Sequence, residues 1–566
     1  MWSRRRKWIV CFLLLLTAFS LRLCVARFLP NDNPEDGRAY AQMARNLLEH
    51  HVFSGAERPP YDPTLIRLPG YPIFLAGIYS VFGHNNNTAV RLVNALIDTA
   101  SCALVALLAC YWEPNERRKQ SAAILALALA AVCPFTAIYV ALILTEVPTI
   151  FFAITLCLLT TFAFRAATFK RSLWWWGATG LVAGIAVFFR PDCGLFAGSI
   201  GLTLVITWLL GRRTADEGGT RLRVVWRRAP GVLVQGAVLS VAFLVVLVPW
   251  TVRNWHVFHL FQPLSPMHAE MPGEFVAHGY QAWLRTWVDD QRYINPMIWS
   301  MGDERIHLDD LPESAFDSLE EKARVGHLLH QYNHPAKAAA SSPDENGPPD
   351  PAQPPAPNEP ANKTTPAAKP QESSSPSAPD QQIGDQSDQQ QGDEADEEDD
   401  DQDSANQQDQ HAVVEMTPEI DAGFARIARE RIARAPLRCY LWLPLKRGIS
   451  IWFDTHSEYY PFEGELFPLA DLDYAGHQQY WLPLFSGLVW LYTLLGLAGG
   501  GVLWRSGDAA ARRWLLLVVL LLLPRVVFFS TIENPEPRYM VEMFPFLALL
   551  GGIALARLRL RKFQAT

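Results

Sequence analysis

Residues 1–54 read MWSRRRKWIVCFLLLLTAFSLRLCVARFLPNDNPEDGRAYAQMARNLLEHHVFS. Arg4, Arg5, Arg6 and Lys7 precede an apolar run from Trp8 to about Phe28. A run of this length crosses a hydrocarbon core as one helix. A signal peptide starts the same way, but the run is long and no small-x-small cleavage site directly precedes the loop beyond it. A retained first span is therefore expected, with its basic end cytoplasmic. The loop that follows, Asn31 to Tyr40, faces outward and carries Asp32, Glu35 and Asp36 against the membrane boundary. Beyond it, Tyr40, Ala44, Leu47 and Leu48 share one face at helical spacing. Such a helix lies along the membrane surface and holds the acids at the polar–apolar border. Taken alone, acids beside a span are as readily a solvated loop.

Long apolar runs recur through the 566 residues, half of which are hydrophobic, which makes this a polytopic membrane protein. The eight cysteines are scattered without a CxxC pair, so neither a disulfide framework nor a zinc site is signalled. The net charge of −8 misleads: residues 336–411 hold 18 Asp/Glu against 3 Lys, and without that segment the chain stands at +7. A basic core suits anionic headgroups.

The first outer loop, 29–87, continues through Arg58-Pro59-Pro60-Tyr61 and Arg67-Leu68-Pro69-Gly70-Tyr71-Pro72. Proline and glycine at this density set rigid turns, which would hold Arg67 stiffly at the membrane edge. Further spans are expected at about 90–111, 121–139, 148–164, 174–189, 195–210, 232–250, 481–503 and 514–530, with a tenth that returns, after the turn Glu533–Tyr539, to about Leu558. Every strongly basic loop, and the RLRLRK tail, then falls on one side. Ten spans place both termini in the cytoplasm of a cell (inner or plasma) membrane. The expected units are a membrane module over 1–254, an outer region over 255–335, and the acidic Pro/Gln-rich insert over 336–411. An outer amphipathic region over 412–479 and the last spans over 480–566 complete the chain. The insert has almost no large apolar side chain and reads as disordered. Pro418–Arg434 reads as an amphipathic helix, and 441–453 as a short interfacial segment.

This topology gathers Asp36, Arg67, Glu146, Arg190, Asp192, Arg253, Glu536 and Arg538 from five outer turns onto one edge of the membrane. Each alone is a turn or anchor residue; together they mark a headgroup-level site. Asp98 and Arg525 are the clearest ionisable residues inside spans. A transporter places such groups along a mid-membrane path, and no such path is legible here.

The motifs at these positions resemble the GT-C membrane glycosyltransferases, in particular the group uniting protein O-mannosyltransferases with the lipid A aminoarabinose transferase. They are Asp-x-x-x-Tyr (Asp36, Tyr40) with ARNLLEHHVFS, RLPGYP, TEVP at Glu146, RP at Arg190, PWTVRN at Pro249 and EPRY at Glu536. The sequence departs from some relatives at Gly37, where they carry an acid, and at Arg38, which is one position early for a phosphate-binding base. The resemblance implies a GT-C fold of about ten helices with amphipathic juxtamembrane helices in the first outer loop. It implies inverting transfer of a sugar from a polyprenyl-phosphate donor to an unknown acceptor, a protein hydroxyl, lipid or glycan. Asp36 is then the general base and Glu146 the second acid. Arg67, Tyr40, Tyr71, Arg253, Arg538 and Tyr539 meet the lipid phosphate or donor, and Arg190 and Glu536 support them. No cofactor is signalled, and a divalent metal is left open. Membrane lipids are expected partners and nucleic acid is not. A lipid-linked saccharide flippase and a non-catalytic scaffold are the alternatives.

Overall fold

A computed structural model describes residues 4–29, 35–210, 221–266, 270–289, 293–335, 414–453 and 478–564. Every regular element among them is helical. Among the described residues, nine helices are long and apolar enough to cross a membrane, or ten when one bent pair counts as a span. They are α1 (Arg4–Phe28), α4 (Asn87–Trp112), α7 (Glu146–Arg165), α8 (Phe169–Phe189), α9 (Gly194–Leu210) and α10 (Arg221–Phe258). The remainder are α15 (Gln478–Arg505), α16 (Ala509–Thr531), α17 (Phe544–Gln564) and the pair α5 (Lys119–Ala131) and α6 (Pro134–Ala137). The chain is a multi-pass membrane protein with the expected number of spans.

Two spans differ from the sequence reading. The third is not one rod over 121–139 but breaks by 52° between Ala131 and Pro134. Pro134 has no N–H to offer the Ala130 carbonyl. Arg22, reaching across from α1, donates to the Ala130 carbonyl at 3.0 Å and also to that of Ala131. Its Nε donates to Asp98 Oδ2 at 2.7 Å, and both side chains are buried. A guanidinium inside the bundle thus supplies a donor to the carbonyl that Pro134 cannot serve. The seventh span does not end at Trp250; α10 continues through Pro249 to Phe258. Such a continuation is tolerated in a membrane helix, where the surroundings re-satisfy the carbonyl that a proline frees. Close helix contact follows from small residues. A Cβ on Gly180 of α8 would lie 2.2 Å from Leu239 O of α10, and one on Gly184 would lie 2.7 Å from Val246 Cβ.

The segment between α1 and α4 holds two helices. The expected amphipathic one is α2 (Glu35–Glu49), and α3 (Gly70–Phe82) starts directly after the Pro69 turn. Pro72 sits in the first turn of α3, where its missing N–H costs nothing. Ala41, Ala44, Tyr71, Leu75, Ile78 and Tyr79 bury one shared apolar face between these helices and α4.

Beyond α10, α11 (His278–Leu284), α12 (Leu319–Asn333) and α13 (Pro418–Arg434) share a separate core. Tyr280, Trp283, Trp287, Val325, Leu329, Phe424 and Ile427 form it. The acidic segment lies outside the described residues, as do Asp32, Arg212, Arg213 and most of 454–479. Its flanks are in contact: the Glu415 N–H donates to Tyr332 O at 3.2 Å. This outer unit is tied to α14 (Leu443–Phe453) by Arg447, whose Nε donates to Val288 O at 2.6 Å, and by Lys446 to Asp289 at 2.9 Å. Arg285 pairs with Glu533 at 2.5 Å, which joins the unit to the turn after α16.

The two flanks of the insert already meet, so the fold does not need a long connection there. Deleting 340–410 is expected to change stability by about 2 kcal/mol or less, the scale of altered loop closure. Thermal melting and size-exclusion of the detergent-solubilised deletion protein check this; a large drop in melting temperature, or aggregation, would show that the segment supports the outer unit.

Candidate active site

Asp36 stands in the first turn of α2, and its position depends on its neighbour. A Cβ on Gly37 would lie 2.8 Å from Ile143 O, a backbone atom of the turn before α7. Glycine is therefore what lets α2 touch that turn, and this accounts for Gly37 where some resembling sequences carry an acid. Gly70 does the same for Arg67: a Cβ there would lie 2.6 Å from the Phe188 carbonyl, so the Arg67 turn is seated on the end of α8. Arg67 Nη2 donates to Asp36 Oδ1 at 2.8 Å. Arg538 Nη1 lies 3.6 Å from Asp36 Oδ2, and its Nε pairs with Glu536. Asp36 is thus flanked by guanidiniums from two distant parts of the chain. The Asp36 and Arg67 side chains remain 28% and 33% accessible while Arg538 is nearly buried, so the group opens on the Asp36–Arg67 side. Arg38 is exposed and outside it.

Glu146 belongs to a second, deeper cluster. Arg190 Nη1 donates to Glu146 Oε1 at 3.2 Å and to Glu542 Oε1 at 3.1 Å, and its Nε donates to Asp192 Oδ1 at 3.2 Å. Arg525 Nη2 lies 2.6 Å from Asp192 Oδ2 and 3.1 Å from Glu542 Oε2. Glu146 Oε2 is buried and accepts no hydrogen bond among the described residues.

The two clusters meet through aromatic rings and backbone. Arg190 and Arg538 both lie over the Tyr539 ring, at 5.5 and 5.3 Å. Tyr40 meets Tyr71 edge-on at 5.2 Å. Burial, and then the Asp36 charge, pushes the Tyr40 hydroxyl up to about 12. Burial and the Glu146 charge hold Tyr71 well above the ordinary tyrosine range. Both phenols stay protonated at neutral pH. The Tyr71 hydroxyl is buried without a hydrogen-bond partner among the described residues.

Arg253 is not brought to Asp36. It donates to Thr64 O at 2.8 Å and stacks over Trp250 at 4.8 Å, so it fixes the strand of loop that leads to Arg67. Arg525 was visible as a charge inside a span but carried no role in the sequence reading. Glu542 was missed; its only signal is an acid between apolar residues at the start of the last span. Among the described residues no group of three His, Cys, Asp or Glu side chains could hold a metal. Glu146, Asp192 and Glu542, the nearest to such a group, are engaged by guanidiniums.

An apolar groove of about 1030 Å³ lies between α14, α15, α16 and α17, lined by Trp452, Leu497, Val519, Val526 and Leu550 among others. At one end Trp452 and Val526 pack with Phe529, Met540 and Tyr539, the last of which follows Arg538 in the chain.

Residues 62–221 match the family described as dolichyl-phosphate-mannose-protein mannosyltransferase. The match runs from the first outer loop through α9 and includes Arg67, Tyr71, Glu146, Arg190 and Asp192. No curated protein matches the chain. Among solved structures it is similar to ArnT from Cupriavidus metallidurans in the apo state, at 14% identity and a TM-score of 0.32 over 98% of this chain and 78% of that one. The same protein bound to undecaprenyl phosphate gives 13% identity and a TM-score of 0.33, over 97% and 78%.

The Gly37 contact is open to test. Gly37→Ala forces a methyl against backbone that cannot rotate away, an overpacking cost of about 1–3 kcal/mol, and moves Asp36. Gly55→Ala is the control, because its Cβ would meet only Met43 Cε at 3.5 Å. Melting temperature and polyprenyl-phosphate-sugar turnover should both fall for the first variant and hold for the second; equal behaviour of the two would refute the packing argument.

Proposed function

We propose that the chain is an inverting glycosyltransferase that moves a sugar from a polyprenyl-phosphate donor to an acceptor hydroxyl on the outer face of the membrane. The premise is the glycosyltransferase family match over residues 62–221. The observation that carries the mechanism is Asp36 set between Arg67 and Arg538. The acceptor hydroxyl attacks the anomeric carbon as the bond from that carbon to the phosphate oxygen breaks. Asp36 accepts the hydroxyl proton. The polyprenyl phosphate leaves as an anion, and preorganised guanidiniums stabilise that charge better than water does. Arg67 and Arg538 are the two at hand, and each offers a planar fork to phosphate oxygens. A phosphate seated between them competes with Asp36 for both, which frees the carboxylate oxygens for the proton. Attack from the face opposite the leaving group inverts the anomeric centre.

Glu146 and the Tyr40 and Tyr71 hydroxyls provide an acceptor and two donors for sugar or acceptor hydroxyls. Tyr539 packs beneath the phosphate-binding arginine. Arg190 supports Glu146, Glu536 supports Arg538, and Arg253 holds the Arg67 loop. The groove that ends at Trp452 and Val526 is suited to the isoprenoid tail, since it is apolar and those two residues pack with Tyr539, the chain neighbour of Arg538. The basic loops at the opposite ends of the spans orient this edge outward.

Purified full-length protein with a panel of polyprenyl-phosphate sugars tests the reading; a product with inverted anomeric configuration is expected, and absence of turnover with every donor would defeat it. Asp36→Asn should lower kcat by about 10² to 10⁴ while undecaprenyl phosphate binds at least as tightly, because its competitor for the arginines has lost its charge. Wild-type turnover by this variant would remove Asp36 from the chemistry. Arg538→Lys should raise the donor KM and Arg538→Ala should raise it further, since Lys replaces a bidentate fork with a point charge. An unchanged donor response in the Ala variant would leave Arg538 as a membrane anchor.

A further inference from the structure

We infer that Arg525 is a positioning residue for the transfer reaction, locking the acid side and the donor-phosphate side of the site to one another. The inference rests on the glycosyltransferase reading above and names a residue that touches neither substrate nor Asp36.

Three contacts carry it. Arg525 Nε donates to Tyr539 O at 2.7 Å, the backbone carbonyl next to Arg538. Arg525 Nη2 meets Asp192 Oδ2 at 2.6 Å and Glu542 Oε2 at 3.1 Å, and these are the two acids that, with Glu146, hold Arg190. One fully buried guanidinium on α16 therefore fixes both the turn bearing Arg538 and the acid ring bearing Glu146. The rings agree: Arg525 lies over Phe196 at 5.3 Å and Phe529 at 5.0 Å, and Phe529 stacks on Tyr539 at 4.4 Å. Buried ion clusters are seldom the most stable way to fill a core, because desolvation offsets much of their attraction. Two arginines and three acids at the head of the bundle are better explained by the geometry they impose. A displacement of about 1 Å in a positioned group can cost on the order of 10² in rate.

The test uses Arg525→Met, Arg525→Lys and the pair Arg525→Met with Glu542→Gln in the full-length protein. The double variant removes one positive and one negative charge together, which limits the cost of an unpaired buried acid. The expected result for the double variant is recovery of melting temperature and expression relative to Arg525→Met. Its kcat stays about 10-fold or more below wild type and its donor KM is raised several-fold, because the Tyr539 carbonyl is still untethered. Arg525→Lys should fall between. Undecaprenyl phosphate binding to the double variant, measured without turnover, should weaken by the same factor as KM rises. A merely structural role would reduce the folded fraction, lowering apparent kcat with KM and binding unchanged, and that outcome overturns the inference. So does a double variant with wild-type kcat and KM. Wild-type protein inactive with every donor would instead defeat the functional reading, and the binding measurement alone would then judge Arg525.

Discussion

Arg190 is bound by carboxylates from three separate elements: Glu146 at the start of α7, Asp192 between α8 and α9, and Glu542 at the entry to the last span. A buried charge without partners costs several kcal/mol, and removing one partner of a buried pair is correspondingly damaging. The ends of these spans cannot slide independently while all three acids must reach one guanidinium. Arg525 adds a fourth element, because α16 must also present its arginine to Asp192 and Glu542. The outer head of the bundle is thereby held in one arrangement by charge, while the spans below it are held by small-residue contact, as at Gly180 and Gly184. The Arg22–Asp98 pair plays the corresponding part deeper in the bundle, where it closes the break at Pro134.

The Asp36 group is built on that head by close backbone approach. Gly37 lets α2 touch the turn before α7, and Gly70 seats the Arg67 turn on the end of α8. Arg538 arrives from the other end of the chain on a short helical turn that starts at Pro537. Its backbone neighbour Tyr539 is bonded by Arg525. Neither half of the chain holds the whole group, so the site exists only once the last spans have docked against the first eight helices.

Much of this was legible in sequence because membrane helices announce themselves through length and hydropathy, and basic loops mark their sides. Spans such as 90–111 and 148–164 emerge within a few residues of α4 and α7, and Pro418–Arg434 emerges as α13. The amphipathic face of α2 was likewise plain from Tyr40, Ala44, Leu47 and Leu48. What sequence could not give were departures set by distant partners. The break at Pro134 persists because Arg22 supplies donors from another helix, and α10 continues past Pro249 because a membrane helix tolerates that proline. Arg67, Arg538 and Asp36 were singled out one by one, and their meeting is a tertiary fact. Glu542 was invisible because an acid flanked by methionines and valine looks like an isolated exception to an apolar run. Only its two buried guanidinium partners give it meaning.

The two clusters differ in charge. Around Asp36 the formal charges balance, with Arg67 and Arg538 against Asp36 and Glu536. Around Arg190 they do not: Arg190 and Arg525 face Glu146, Asp192 and Glu542. An anionic phosphate is therefore favoured at the balanced cluster, where two guanidiniums can turn toward it, and disfavoured at the acidic one. That asymmetry orients a donor before any specific contact with its sugar. In the proposed mechanism the phosphate settles at the Arg67–Arg538 side, its tail continues into the groove that ends at Trp452 and Val526, and the sugar lies toward Glu146 and Tyr71. Neutral hydroxyls suit that inner side in the proposed mechanism, because Glu146 Oε2 and the Tyr71 hydroxyl have no hydrogen-bond partner among the described residues, and an unpartnered buried polar atom gains most from a hydroxyl that satisfies it.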